Sequence, residues 1–267
     1  MKFFHLGVVL TLIVISCNTN STKNNQKMNS LYPKKGTFIK YQEEWAIDGY
    51  YKRLNEFKSS PIGENKIVFL GNSITEGGGD WNKRFGTKNI VNRGIGGDIT
   101  EGVIVRIQEI IHFKPLAIFL LIGINDIFNS DKPDRDRITE KYVANNILKI
   151  SKIISKESPS TKLFVQTILP VNPKSYFKEN GFFPEHNVPL PDQINNINKI
   201  LKENDQLNVI DLHSAFVDDE GFLLTKYSDE GVHLNEDGYR NWASLISDKI
   251  TLLKYCLLYT SPSPRDS

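Results

Sequence analysis

Four short segments carry residue types suited to acyl chemistry. The first is Gly71-Asn72-Ser73-Ile74-Thr75, directly after the apolar run 66–71. A serine between a buried strand and a helix stands exposed at the edge of a sheet, with its amide turned outward. The same placement also suits an ordinary helix cap. The second is Asn92-Arg93-Gly94-Ile95-Gly96-Gly97-Asp98, where glycines let the backbone approach a ligand closely. A phosphate cradle fails on detail: there is no G-x-x-x-x-G-K-S/T run, and no G-x-G-x-x-G follows the first strand. The third is Gly123-Ile124-Asn125-Asp126. An asparagine at the end of a central strand can donate its amide to an oxyanion, although Asn-Asp is also a common turn pair. The fourth is Asp229-Glu230-Gly231-Val232-His233, followed by Leu234-Asn235 and Gly238-Tyr239. A carboxylate three residues before a histidine can accept from Nδ1 and fix the tautomer. Nε2 then faces outward as a base.

Such scattered residues need rigid elements to bring them together, and the hydropathy pattern supplies them. Ile47, Tyr50, Tyr51, Leu54 and Phe57 have helical spacing within 40–58. Strands are expected at 66–71, 89–94, 116–123, 162–170 and 207–212, each apolar without alternation. Helices are expected at 98–112, 139–157, 192–205 and 236–254. Alternating strands and helices, with strands buried on both faces, predict a doubly wound α/β fold around a parallel sheet. Such a sheet places its chemistry at the carboxyl ends of the strands, where all four segments fall. No internal repeat is present. Residues 171–191 are read as a long irregular loop; their four prolines and four aromatics make them a candidate substrate wall or a surface excursion packed on the domain. Of the remaining histidines, only His186, in that loop, is a candidate to meet substrate.

Composition narrows the partners. The 267 residues hold 33 basic and 31 acidic side chains, a net charge of +2, which makes no electrostatic case for nucleic acid or an anionic membrane. Two cysteines exclude a disulfide scaffold, and no cysteine–histidine cluster suggests a zinc site.

Taken in order, the four segments resemble the conserved blocks of the SGNH hydrolases, also called GDSL-type esterases. The match runs over about 64–250, and the GIGGD wording is similar to the branch that includes platelet-activating-factor acetylhydrolase catalytic subunits. The resemblance implies a flavodoxin-like three-layer α/β/α sandwich with a five-stranded parallel sheet. It implies Ser73 as nucleophile, His233 as base, and an oxyanion hole from the amides of Ser73 and Gly97 with the Asn125 side chain. No metal or organic cofactor is implied. Asn72 stands where the family motif has aspartate, outside the triad. Glu230 stands where the family has its aspartate, so Glu230 is the expected acid and Asp229 the alternative. The implied function is a serine esterase for a short acyl, notably acetyl, ester; an envelope or dietary glycan as its bearer rests on the extracytoplasmic location expected from the N-terminus. Alternatives are acyl transfer from the same acyl-serine and a weakly catalytic binding module.

Both ends read differently from the middle. Leu6 to Ile15 is an apolar run of ten residues behind Lys2, too short to span a bilayer but suited to a secretory signal. Val14-Ile15-Ser16-Cys17 resembles a bacterial lipobox. It implies a lipoprotein signal at 1–16, lipidation of Cys17 and a lipid-anchored, extracytoplasmic location. A simple cleaved signal is the alternative. Residues 17–35 are expected as a polar tether and 36–255 as the hydrolase domain. Residues 256–266, CLLYTSPSPRD, resemble one reading frame of a transposon-type sequencing adapter, so 256–267 are set apart from the fold.

Overall fold

The computed structural model describes residues 28–129 and 134–260, with side chains described as far as Tyr255. The signal expected at 1–16, Cys17, tether residues 17–27 and the adapter-like residues 261–267 lie outside them.

Five parallel strands form one sheet: β1 (Ile67–Gly71), β2 (Ile90–Gly94), β3 (Ala117–Leu121), β4 (Lys162–Gln166) and β5 (Val209–Ile210). Their order is β2-β1-β3-β4-β5, the flavodoxin-like winding, with helices on both sides. Winding reverses between β1 and β3, which opens a crevice beyond their carboxyl ends. β1 and β3 are buried at every residue, which is why their sequences are apolar throughout. Pairing is in register, so Phe69, Phe119 and Phe164 stand side by side. Their rings stack at 5.2 and 4.9 Å, and Trp81 stacks on Phe69 at 4.2 Å. Each such pair contributes roughly 0.5–1.5 kcal/mol beyond its burial.

The helices follow from their apolar faces. Helix α1 (Glu44–Ser59) buries Ala46, Tyr50, Tyr51, Leu54 and Phe57. Tyr50, Tyr51, Leu54 and Phe57 join Tyr32, Ile39, Ile95 and Ile99 in a cluster separate from the main core. Tyr32, within the segment expected as tether, is thus packed on α1. Two short helices follow β1: α2 (Ser73–Gly77) and α3 (Trp81–Phe85). The single helix expected over 98–112 is two, α4 (Thr100–Val105) and α5 (Gln108–Phe113). Arg106 breaks it, leaving helical dihedrals at φ −101° and ψ 11°. Its guanidinium turns inward to Asp98 Oδ2, 2.8 Å away, and to the carbonyl of Gly71.

After β3 comes α6 (Ile124–Phe128), then α7 (Glu140–Glu157), which buries Val143, Ile147, Ile150 and Ile154 along one stripe. Each of those burials contributes roughly 1.5–3 kcal/mol. Residues 171–191, expected as irregular, contain α8 (Pro173–Asn180). Asn172 caps it by accepting from Ser175 N at 3.0 Å, and Pro173 takes the first turn, where a missing N–H costs nothing. Helix α9 (Leu190–Lys202) precedes β5, and α10 (Glu236–Thr260) completes the fold.

Candidate active site

Ser73 opens α2, two residues beyond the end of β1. Asn72 caps this helix through Oδ1, which accepts from Ile74 N at 3.0 Å; an aspartate would cap in the same way, so the departure from the family motif leaves the cap in place. The helix sits close on the sheet because two glycines permit it. A Cβ on Gly71 would come within 2.3 Å of Thr75 Oγ1, and one on Gly94 within 2.2 Å of Glu76 N. Asn92 ties the far end of α2 down by donating to the carbonyls of Thr75 and Glu76 at 3.1 and 3.0 Å.

His233 arrives from the loop ahead of α10. Gly231, at φ +90°, lets that loop turn flat against Asn172, whose N–H donates to the Gly231 carbonyl at 2.7 Å. A Cβ there would stand 2.4 Å from Asn172 O. The imidazole Nε2 lies 3.0 Å from Ser73 Oγ, and Nδ1 lies 2.9 Å from Glu230 Oε1. Glu230 curls back on its own loop, its Oε1 also accepting from Val232 N at 3.1 Å and from His233 N. That curl absorbs the extra methylene of glutamate. Partial burial pushes the Glu230 carboxyl up, but the hydrogen bonds from the His233 ring and main chain, its charge and the Val232 amide outweigh it and hold the carboxyl below the ordinary glutamate value. An ionised carboxylate only accepts, so Nδ1 carries the proton and the lone pair of Nε2 faces Ser73. Asp229 is engaged elsewhere, its Oδ1 accepting from Asn235 Nδ2 at 3.1 Å. The structure therefore brings together Ser73, His233 and Glu230, and leaves Asp229 off the line.

Gly97 lies in a four-residue turn closed by Asp98 N donating to Ile95 O at 3.1 Å. Its φ of +72° is the value that the third position of a type II turn reserves for glycine. Asn125, in the first turn of α6, donates from Nδ2 to the carbonyl of Asp98 at 2.9 Å, which aims its amide along this turn. Beneath lies a buried network. Asp126 accepts from Thr100 N at 3.0 Å and from Thr100 Oγ1 at 2.5 Å. Asp98 is fully buried; desolvation pushes its carboxyl up to about 6 despite the opposing charge and hydrogen bond of Arg106. Sequence reasoning missed Asp98, Thr100, Arg106 and Asp126 as supports. For Thr100 and Arg106 the visible signal was polarity within the expected helix 98–112, whereas Asp98 and Asp126 stand inside the glycine and asparagine segments themselves.

The aromatic segment packs mostly on itself. Tyr176 meets Phe128, Phe182 and Phe183 edge to face at 5.3, 5.8 and 5.7 Å. Phe177 and Phe182 remain exposed. His186 is held with Nδ1 2.7 Å from the Pro184 carbonyl and Nε2 3.0 Å from those of Ile127 and Phe128, so it braces the loop rather than facing Ser73. Among the described residues, no group of three or more His, Cys, Asp or Glu is arranged to hold a metal ion.

Comparison with known proteins agrees with this architecture. Residues 69–240 match the GDSL-like Lipase/Acylhydrolase family. The chain is 26% identical over 185 residues to platelet-activating factor acetylhydrolase IB subunit alpha2 of Rattus norvegicus, covering 66% of this chain and 72% of that protein. A GDSL-like lipase of Bacteroides thetaiotaomicron superposes with a TM-score of 0.60 at 22% identity, over 76% of this chain and 97% of its own. Axe2, an acetylxylan esterase from Geobacillus stearothermophilus, has a TM-score of 0.50 at 18% identity, over 71% and 95%. Strand order and family match lead to one conclusion: the chain belongs to the GDSL-like lipase/acylhydrolase family of ester-cleaving hydrolases.

Proposed function

We propose that this chain is a serine esterase that removes a short acyl group, acetyl foremost, from a hydroxyl of a glycan. The observation that carries the reading is the line of contacts from Ser73 Oγ through His233 to Glu230, at 3.0 and 2.9 Å. Ser73 Oγ attacks the ester carbonyl carbon while its proton passes to Nε2 of His233. The tetrahedral oxyanion is held by the amides of Ser73 and Gly97 and by Nδ2 of Asn125. Collapse breaks the bond to the alcohol, which leaves with the proton from Nε2. Water then attacks acyl-Ser73, again giving its proton to Nε2; collapse breaks the bond to Ser73 Oγ, which takes that proton back as the acid departs. Glu230 keeps the imidazole in the right tautomer and balances its charge while it is protonated.

The acetyl preference is supported by the name of the acetylhydrolase relative, and a sugar alcohol by that of the acetylxylan esterase neighbour. Export and anchoring through Cys17 are part of the proposal, supported by the apolar run before it. The deciding assay is release of p-nitrophenol from its acetate by the wild type and by Ser73→Ala, with mass-spectrometric capture of acyl-Ser73. We expect the variant to lose essentially all turnover. Equal rates would sink the serine mechanism.

A further inference from the structure

Glu76 lies one turn beyond Ser73 on α2 and reaches across to the glycine turn. Its Oε2 accepts from Gly96 N at 2.6 Å, and its Oε1 pairs with Arg53 Nε at 2.9 Å. Arg53 comes from α1 and also donates to the carbonyl of Gly94, 3.3 Å from both Nε and Nη2. One carboxylate thus joins the helix that begins with Ser73, the turn that holds Gly97, and α1. Helix α1 backs the turn a second time, for a Cβ on Gly97 would come within 2.7 Å of Ala46 and 2.8 Å of Trp45. Ile95 and Ile99, on either side of the turn, are buried in the α1 cluster with Tyr50, Leu54 and Phe57. Both anchors, Arg53 and Trp45, precede residue 69, where the family match begins.

Two adjacent glycines would otherwise sample many backbone states. An amide that must meet charge developing in a transition state has to be fixed beforehand. The Glu76 side chain is 34% exposed, so its ion pair adds little to folding stability. Its geometry bears instead on where the Gly96–Gly97 peptide sits.

We infer that Glu76 is a positioning residue for ester cleavage: through Gly96 it fixes the Gly96–Gly97 peptide relative to Ser73, and Arg53 of α1 holds Glu76 in place. The inference rests on Gly97 acting as an oxyanion donor, as proposed above. Misplacing such a donor weakens transition-state binding more than substrate binding, so the loss belongs in kcat.

The test compares wild type, Glu76→Ala, Glu76→Gln, Arg53→Ala and Ser73→Ala on p-nitrophenyl acetate, with thermal melting of each. Glu76→Ala should lower kcat roughly tenfold to a hundredfold with KM within about twofold. Glu76→Gln, whose amide oxygen still accepts from Gly96, should recover most of that loss, and Arg53→Ala should fall between. A folded Glu76→Ala with wild-type kcat, a loss carried by KM, or a Gln variant no better than Ala would each overturn the inference. If Glu76→Ala does not fold, Arg53→Ala decides: wild-type kcat there overturns the inference, and a selective fall in kcat upholds it. An active Ser73→Ala would remove the serine reading and this inference together. An inert Ser73→Ala beside a wild-type-like Glu76→Ala would remove only the inference.

Discussion

Replacing Glu230 by Gln removes one charge and little else. The amide oxygen of Gln can still accept from His233 Nδ1, so what is lost is attraction between a carboxylate and the imidazolium that forms as Ser73 attacks. Across the observed 2.9 Å, that attraction is about 5.7 kcal/mol at an effective dielectric of ~20 and about 1.4 kcal/mol in bulk water. The side chains of His233 and Glu230 are 53% and 25% exposed, so the true value falls between these limits, at about 2–4 kcal/mol. At ~1.4 kcal/mol per decade, kcat should fall roughly thirtyfold to a thousandfold. Asp229→Asn, which only alters a contact with Asn235, should stay within about threefold of wild type. The assay is steady-state hydrolysis of p-nitrophenyl acetate, with melting curves to exclude unfolding. pH adds a second check. Because the Glu230 carboxyl is held below its ordinary value, it stays ionised well into acid, and the acid limb of kcat/KM should fall with a slope of one, not two. A near-wild-type Glu230→Gln, or an equal loss in Asp229→Asn, would refute the assignment.

Two further outcomes follow from the surrounding geometry. Asn125→Ala deletes a proposed oxyanion donor and should cost about a hundredfold to a thousandfold in kcat, while loss of its bond to Asp98 O costs only about 1 kcal/mol of stability; stopped-time hydrolysis and chemical denaturation separate the two. Arg106→Ala leaves Asp98 buried without its partner and should destabilise the fold by about 3–5 kcal/mol at neutral pH. The sign with pH is fixed. The Asp98 carboxyl is already raised from 3.8 to about 6, and losing Arg106 raises it further. The folded variant therefore gains stability as pH falls, and urea midpoints should show its deficit shrinking as pH falls from alkaline values toward about 6 and levelling off below, where Asp98 is protonated in both proteins.

The fold was legible because its strands announce themselves. Residues 67–71 and 117–121 are buried on both faces and had to be apolar throughout, and the stripe Val143, Ile147, Ile150, Ile154 reads as one helical face. The site was legible through order: serine, glycine turn and asparagine each follow a strand of the core, and histidine precedes the last helix. Local chemistry decided the rest. Asn172-Pro173 is a helix start, yet four nearby aromatics and prolines made 171–191 read as loop. Arg106 sits on an otherwise regular helical pattern, and its turn inward to Asp98 and the Gly71 carbonyl, where the helix breaks, is not written in that pattern. Asp229 and Glu230 are adjacent and chemically equivalent on paper; the left-handed backbone at Gly231 sends one to the imidazole and the other to Asn235. Glu76 gave no signal, because its partners lie on a turn and a helix far along the chain.

The three tryptophans divide the protein optically. Trp81 and Trp242 are buried at 1% and 0% exposure with ring centres 4.8 Å apart, close enough for exciton coupling and a strong near-ultraviolet dichroism of the folded core. Trp45 is 68% exposed and rests against Gly97. Its exposure predicts red-shifted emission open to iodide, with the other two shielded. One fluorophore therefore sits at the turn where the oxyanion is proposed to form, and two sit in the core. Quenching follows the first and dichroism the others, so the same native sample can separate a loosened turn from a melting fold without any added label.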